Sequence, residues 1–85
     1  MNNFTEDELK LLRAAAQQTY RIIAPDVPGS GPRDRDTVFE LTVDADRMRQ
    51  FCSVEQDAVV EKFYRLGWTA MLAMKEVLFP HESYE

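Results

Sequence analysis

Residues 53–79 read SVEQDAVVEKFYRLGWTAMLAMKEVLF, and the spacing of the apolar residues in this stretch decides the fold class. Ser53 and Gln56 make a capping box, in which each side chain caps the other residue's backbone amide at a helix start. No proline interrupts the run before Pro80. Projected at 100° per residue, the run carries an apolar stripe on one face: Val59, Phe63, Leu66, Ala70, Met74 and Val77. The pattern predicts a helix over residues 54–79, about 39 Å long, which would overhang a compact domain with a radius of gyration of about 12 Å.

A second apolar row lies roughly 140° from this stripe and consists of Tyr64, Trp68, Leu72 and Phe79. A helix that is apolar on two sides must pack between two elements, either in its own chain or in another molecule. One alternative is that the two other helices of the chain cover both rows. The alternative we favour is an exposed aromatic patch on the order of a few hundred Å², with these four residues as interface anchors. Gly67 inside the helix indicates that a neighbouring backbone or ring approaches closely there.

The first helix is predicted from two start signals that agree. Thr5 and Glu8 make a capping box, and Phe4 and Leu9 stand at the positions that pack together across a helix start. Apolar residues then follow at three- and four-residue spacings, with basic and amide side chains on the opposite face. We predict a helix over residues 6–24.

The middle of the chain allows two interpretations. Apolar residues at helical spacing, together with a capping box at Thr37 and Glu40, predict a helix over residues 38–52. The alternative is a short strand over residues 38–43, because apolar and polar residues also alternate there and several are β-branched. A loop rich in proline and glycine is predicted over residues 25–36, and a short tail over residues 80–85.

These segments predict an all-α fold class, with residues 1–85 as one small three-helix domain. The 85 residues suffice for one core, and an apolar fraction of 45% lies outside the range of disordered chains. A single cysteine, Cys52, excludes an internal disulfide and fits a reducing compartment, so we expect a cytoplasmic protein. No stretch approaches the roughly 20 apolar residues that span a bilayer, so no membrane partner is expected.

The sequence lacks the residue patterns of a catalytic or metal site. Cys52 lies on a predicted core stripe, and the one histidine, His81, follows Pro80 in the tail. The two Asp-x-Asp pairs lack the spaced oxygens and terminal glutamate of a calcium loop. Gly29-Ser30-Gly31 is not followed by the lysine of a phosphate-binding loop. We therefore predict no catalytic residue, no cofactor, no metal and no enzymatic activity.

The predicted function is protein–protein interaction or regulation, in a homodimer formed through the C-terminal helix. A net charge of -5 disfavours a nucleic-acid partner, since it would repel phosphate. One alternative is a small acidic inhibitor or adaptor, of the kind that mobile elements and phages encode, which binds a larger and possibly nucleic-acid-binding protein. Another is a helix-turn-helix-like DNA-binding module, because Arg47, Arg49, Lys62 and Arg65 lie near a predicted sharp corner.

Overall fold

The structure is a computed structural model that describes residues 4–24, 35–43 and 47–79. In those ranges the chain forms six helices and no strand, which confirms the all-α fold class. The helices are α1 (Glu6–Ile23), α2 (Arg35–Val43), α3 (Arg47–Phe51), α4 (Val54–Tyr64), α5 (Trp68–Leu72) and α6 (Lys75–Leu78). The predicted tail over residues 80–85 and most of the predicted loop lie outside the described residues.

The start of α1 has the geometry that the capping box predicts. The Glu8 amide donates to the Thr5 hydroxyl at 3.1 Å, and the Thr5 amide donates to the Glu8 carboxylate at 2.9 Å. Both bonds satisfy amides that the first helical turn leaves without a partner. The helix that follows ends at Ile23, within one residue of the prediction.

The second predicted helix is wrong at its start. α2 begins at Arg35, so Thr37 lies inside the helix and does not cap it. The strand alternative for residues 38–43 is also wrong, because this segment is helical. Val38, Phe39, Thr42 and Val43 are all buried, which suits one face of a helix, whereas neighbouring residues of a strand point to opposite faces. A further helix, α3, follows at residues 47–51, and residues 44–46 lie outside the described ranges.

The third predicted helix begins as expected but is not continuous. The Gln56 amide donates to the Ser53 hydroxyl at 3.1 Å, and the Ser53 amide donates to the Gln56 side chain at 2.8 Å. α4 then ends at Tyr64, and the chain turns through Gly67, whose φ of +87° and ψ of 159° belong to a region that only glycine occupies readily. A Cβ at Gly67 would meet no atom within 4 Å, so backbone conformation and not close packing requires glycine there.

The turn at Gly67 folds the C-terminal part of the chain back onto α1. The Arg13 side chain donates from Nε to the Val77 carbonyl at 2.8 Å, and the rings of Tyr20 and Phe79 meet edge to face at 6.4 Å. A continuous helix of about 39 Å would exceed the longest extent of the described chain, 35 Å. It would also carry the apolar residues after Gly67 away from the core.

α1 is the central helix and packs against α2, α3, α4 and α6. α1 and α4 run antiparallel: Lys62 near the end of α4 pairs with Glu8 at the start of α1, at 3.0 Å. The core that these helices enclose draws on every helix: Leu12, Ala15, Ala16, Val38, Phe39, Val43, Met48, Val59, Val60, Phe63, Met71, Met74, Leu78 and Phe79.

Candidate protein-interaction surface

The longest run of the sequence without a charged residue, residues 66–74, surrounds the short helix α5. No charged residue occurs between Arg65 and Lys75, and five residues of this segment are exposed. We call these residues the α5 surface: Gly67, Trp68, Thr69, Ala70 and Ala73. α5 touches its neighbours more sparsely than the other helices do and places Met71 in the core. It therefore presents an uncharged face, while Met71, Leu72 and the inner side of Trp68 hold it to the domain.

Trp68 is the dominant side chain of the α5 surface. It is 49% exposed, and among the described residues it is the only aromatic side chain with that much of its surface in solvent. Its ring packs on Phe39 of α2 at a centroid distance of 5.9 Å and a tilt of 52°. The Met71 amide donates to the Gly67 carbonyl at 2.9 Å, which fixes the helical turn that carries the indole. The exposed half of the indole is thus held in a defined orientation.

The four predicted anchors do not form one row. Trp68 lies on the α5 surface, and Leu72 is half-buried beside it. Tyr64 is half-buried, and its hydroxyl donates to the Val43 carbonyl at 3.2 Å. Phe79 is fully buried against Tyr20, so its prediction as an interface anchor needs correction. The reason is the turn at Gly67, since the projection that aligned the four residues assumes a continuous helix.

The same turn explains the surface residues that sequence reasoning missed. Ala70 was placed on the predicted core stripe but is exposed, and Thr69 and Ala73 join it. The sequence does contain a feature that could have identified these exposed residues, namely that residues 66–74 include no charged side chain. A helix in solvent usually carries charged residues on its outer face.

Arg49, Lys62 and Arg65, near the α3–α4 corner, are paired with carboxylates. Arg49 lies 3.2 Å from Asp57 and 4.0 Å from Glu61, and Arg65 lies 2.7 Å from Glu61. Lys62 is also paired, as described above, and stacks over the ring of Phe4 at 4.7 Å. Each of these pairs sets a carboxylate beside the basic side chain, and a carboxylate repels phosphate, which weighs against the DNA-binding alternative.

Cys52 is half-buried at the end of α3, although the sequence pattern predicted a core position. Its thiol donates to the Arg49 carbonyl at 3.5 Å and lies 3.9 Å from the Asp57 carboxylate. Burial, and secondly the negative charge of Asp57, raise the pKa of the thiol, which opposes its use as a nucleophile. Within the described residues, no three His, Cys, Asp or Glu side chains gather in a way that could hold a metal ion.

The helices of the described ranges are all too short or too polar to cross a bilayer. No protein-family model, curated protein sequence or solved structure matches this chain.

Proposed function

We propose that this chain is a non-enzymatic protein–protein interaction protein that self-associates through the α5 surface, with Trp68 as the anchor and Leu72 beside it. The observation that supports the proposal is a half-exposed tryptophan on an uncharged face. Tryptophan is one of the residues that dominate binding energy at interfaces, especially when small neutral neighbours exclude water around it.

The expected contribution of Trp68 follows from its exposed area. A tryptophan side chain presents roughly 200 Å², so the exposed half offers about 100 Å² to a partner. Burying that area at about 25 cal/mol per Å² contributes roughly 2.5 kcal/mol, less whatever alanine retains. Both copies of a symmetric homodimer lose this contribution, about 2 kcal/mol each, so Trp68→Ala should raise the dissociation constant on the order of 1,000-fold.

Light scattering over a concentration series tests this proposal. The wild-type mass should rise towards twice 9.9 kDa, and the Trp68→Ala curve should shift to a concentration on the order of 1,000-fold higher. Val54→Ala is the matched control, because Val54 is 92% exposed but lies on α4, outside the α5 surface. Circular dichroism must show the same helix content in all three proteins. A wild-type mass that stays at 9.9 kDa up to millimolar concentration contradicts self-association.

A second candidate is the small acidic inhibitor or adaptor, which the net charge of -5 supports. Glu6, Asp7 and Glu55 are exposed carboxylates that a basic partner could contact. A complex with a basic protein should weaken as salt rises, since the Debye length falls to about 3 Å at 1 M. Burial of the α5 surface is apolar and should respond little to salt, so the two candidates are separable.

A further inference from the structure

Residues 68–79, which we call the C-terminal segment, follow the turn at Gly67. The backbone hydrogen bonds before the turn stop at Leu66, whose amide donates to the Phe63 carbonyl at 3.1 Å. They start again at the Gly67 carbonyl, which accepts from the Met71 amide at 2.9 Å. Because glycine adopts both signs of φ and has no side chain to displace, the turn can act as a hinge.

The two helices of the C-terminal segment depend on the rest of the domain for their stability. α5 has five residues and α6 has four, and no described side chain caps the start of either helix. By contrast, α1 has 18 residues and α4 has 11, and both begin with a capping box. Isolated helices shorter than about 12 residues are marginal in water. We therefore expect α5 and α6 to be helical only while they are packed on α1 and α2.

The contacts that hold the C-terminal segment in place join it to α1 and α2. They are the pairs Arg13–Val77 and Tyr20–Phe79 on α1, and Asp36–Lys75 and Phe39–Trp68 on α2. The segment contributes Met71, Met74, Leu78 and Phe79 to the core, and the other ten described core residues belong to α1–α4. α1 also packs directly against α2, α3 and α4. These four helices therefore keep a core of their own when the C-terminal segment is away.

We propose that the C-terminal segment is a lid that opens about Gly67 as one unit while α1–α4 stay folded. The inference goes beyond the proposed function, because it concerns a single copy of the chain. The closed lid covers one face of α1 and α2, and the open lid unfolds and leaves that face to solvent. Trp68 lies on the lid, and its ring leaves Phe39 when the lid opens. The α5 surface therefore exists only in the closed state, and a partner that binds this surface favours closure.

Hydrogen exchange of the full chain, followed by NMR at a low protein concentration, tests the lid. Amides that open only in global unfolding are the best protected, and amides of a smaller unit share one lower opening free energy. The lid amides to follow are those of Met71, Leu78 and Phe79, which donate to carbonyls at the hinge or within the lid. We expect their protection factors to be similar to one another and lower, by about tenfold or more, than the highest values in α1 and α4.

Ser53→Ala separates opening of the lid from unfolding of the whole domain. The substitution removes the capping box of α4, so the best-protected amides of α1 and α4 should exchange about fivefold faster. This cap stays formed when only the lid opens, and the lid amides should therefore keep their wild-type rates. If the lid opened only with the whole domain, Ser53→Ala would speed exchange of the lid amides by the same factor.

Asp36→Asn is the converse variant, because the pair between Asp36 and Lys75 exists only when the lid is closed. It should speed exchange of the lid amides by about two- to fivefold, the range for an exposed ion pair. Asp57→Asn is the matched control, since it removes the pair with Arg49 between α3 and α4 and should leave the lid amides unchanged. Lid amides that are as well protected as those of α1 and α4, or that respond to Ser53→Ala, overturn the inference. Light scattering measures self-association separately, so failure of the lid and failure of the proposed function are distinguishable.

Discussion

Thr42 offers a sharp test of the packing around α2. Its side chain is fully buried, and its hydroxyl oxygen has no hydrogen-bond partner among the described residues. Thr19 on α1 is equally buried, but its hydroxyl donates to the Ala15 carbonyl at 2.8 Å. The two threonines form a matched pair that differs in whether the hydroxyl is satisfied. Valine has nearly the same shape and a similar helix propensity, so Thr→Val at each position changes mainly the hydroxyl.

The expected effects have opposite signs. A buried polar group without a partner costs about 1–3 kcal/mol, so Thr42→Val should raise the free energy of unfolding by about 1 kcal/mol or more. Thr19→Val loses a bond with a net value of about 1 kcal/mol and gains a buried methyl group, so it should be neutral or mildly destabilising. For a domain of this size, 1 kcal/mol corresponds to about 4–8 °C in Tm.

Urea denaturation followed by circular dichroism, at one low protein concentration, measures both variants against the wild type. The slope of the unfolding free energy against urea concentration should be the same for all three proteins, so that differences in stability follow from the denaturation midpoints alone. If Thr42→Val is no more stable than Thr19→Val, the Thr42 hydroxyl is satisfied and the reasoning about α2 fails.

Two further predictions concern titratable groups. The Thr5 amide and then Lys62 lower the pKa of Glu8, so its carboxylate stabilises the fold above its usual pKa of 4.5, and this contribution is lost as the pH falls through the lower folded value. Glu8→Gln can keep the capping box but removes the charge, so it should destabilise the protein more at pH 7 than in acid, and equal loss at both would contradict the assignment. Burial and Asp57 raise the pKa of Cys52, so iodoacetamide should alkylate its thiol more slowly than free cysteine at pH 8. Asp57→Asn should speed the reaction. A wild-type rate equal to that of free cysteine would contradict the raised pKa.

The local signals of this sequence predicted the helix starts at Glu6 and Val54. At Thr5 and Ser53 the capping residues lie within three positions of each other and bond as their pattern requires. Such signals need only neighbouring residues, so tertiary packing rarely overrides them. At Thr37 the same pattern did not mark a start, because Val38 and Phe39 are drawn into the core by a helix that already began at Arg35.

The turn at Gly67 could not be located from sequence alone. One glycine in a helix costs about 1 kcal/mol, which a run of otherwise favourable residues tolerates. The chain turns there because Leu78 and Phe79 can be buried on α1 only if the helix breaks, and that gain depends on residues far away in sequence. For the same reason the candidate surface could not be predicted in full: Phe79, predicted as an interface anchor, is buried, and Ala70, predicted for the core, is exposed.

The bond from Arg13 to the Val77 carbonyl joins residues 64 positions apart, and this separation constrains the order of folding during synthesis. One side of α1 cannot be covered until residues 75–79 have been made. At 5–20 residues per second, translation from Ile23 to Phe79 takes roughly 3–11 s. α2, α3 and α4 are made during that interval, but the side of α1 that α6 covers stays without its final partner until the end of it, and this is when that side is most exposed to chaperones and to wrong neighbours.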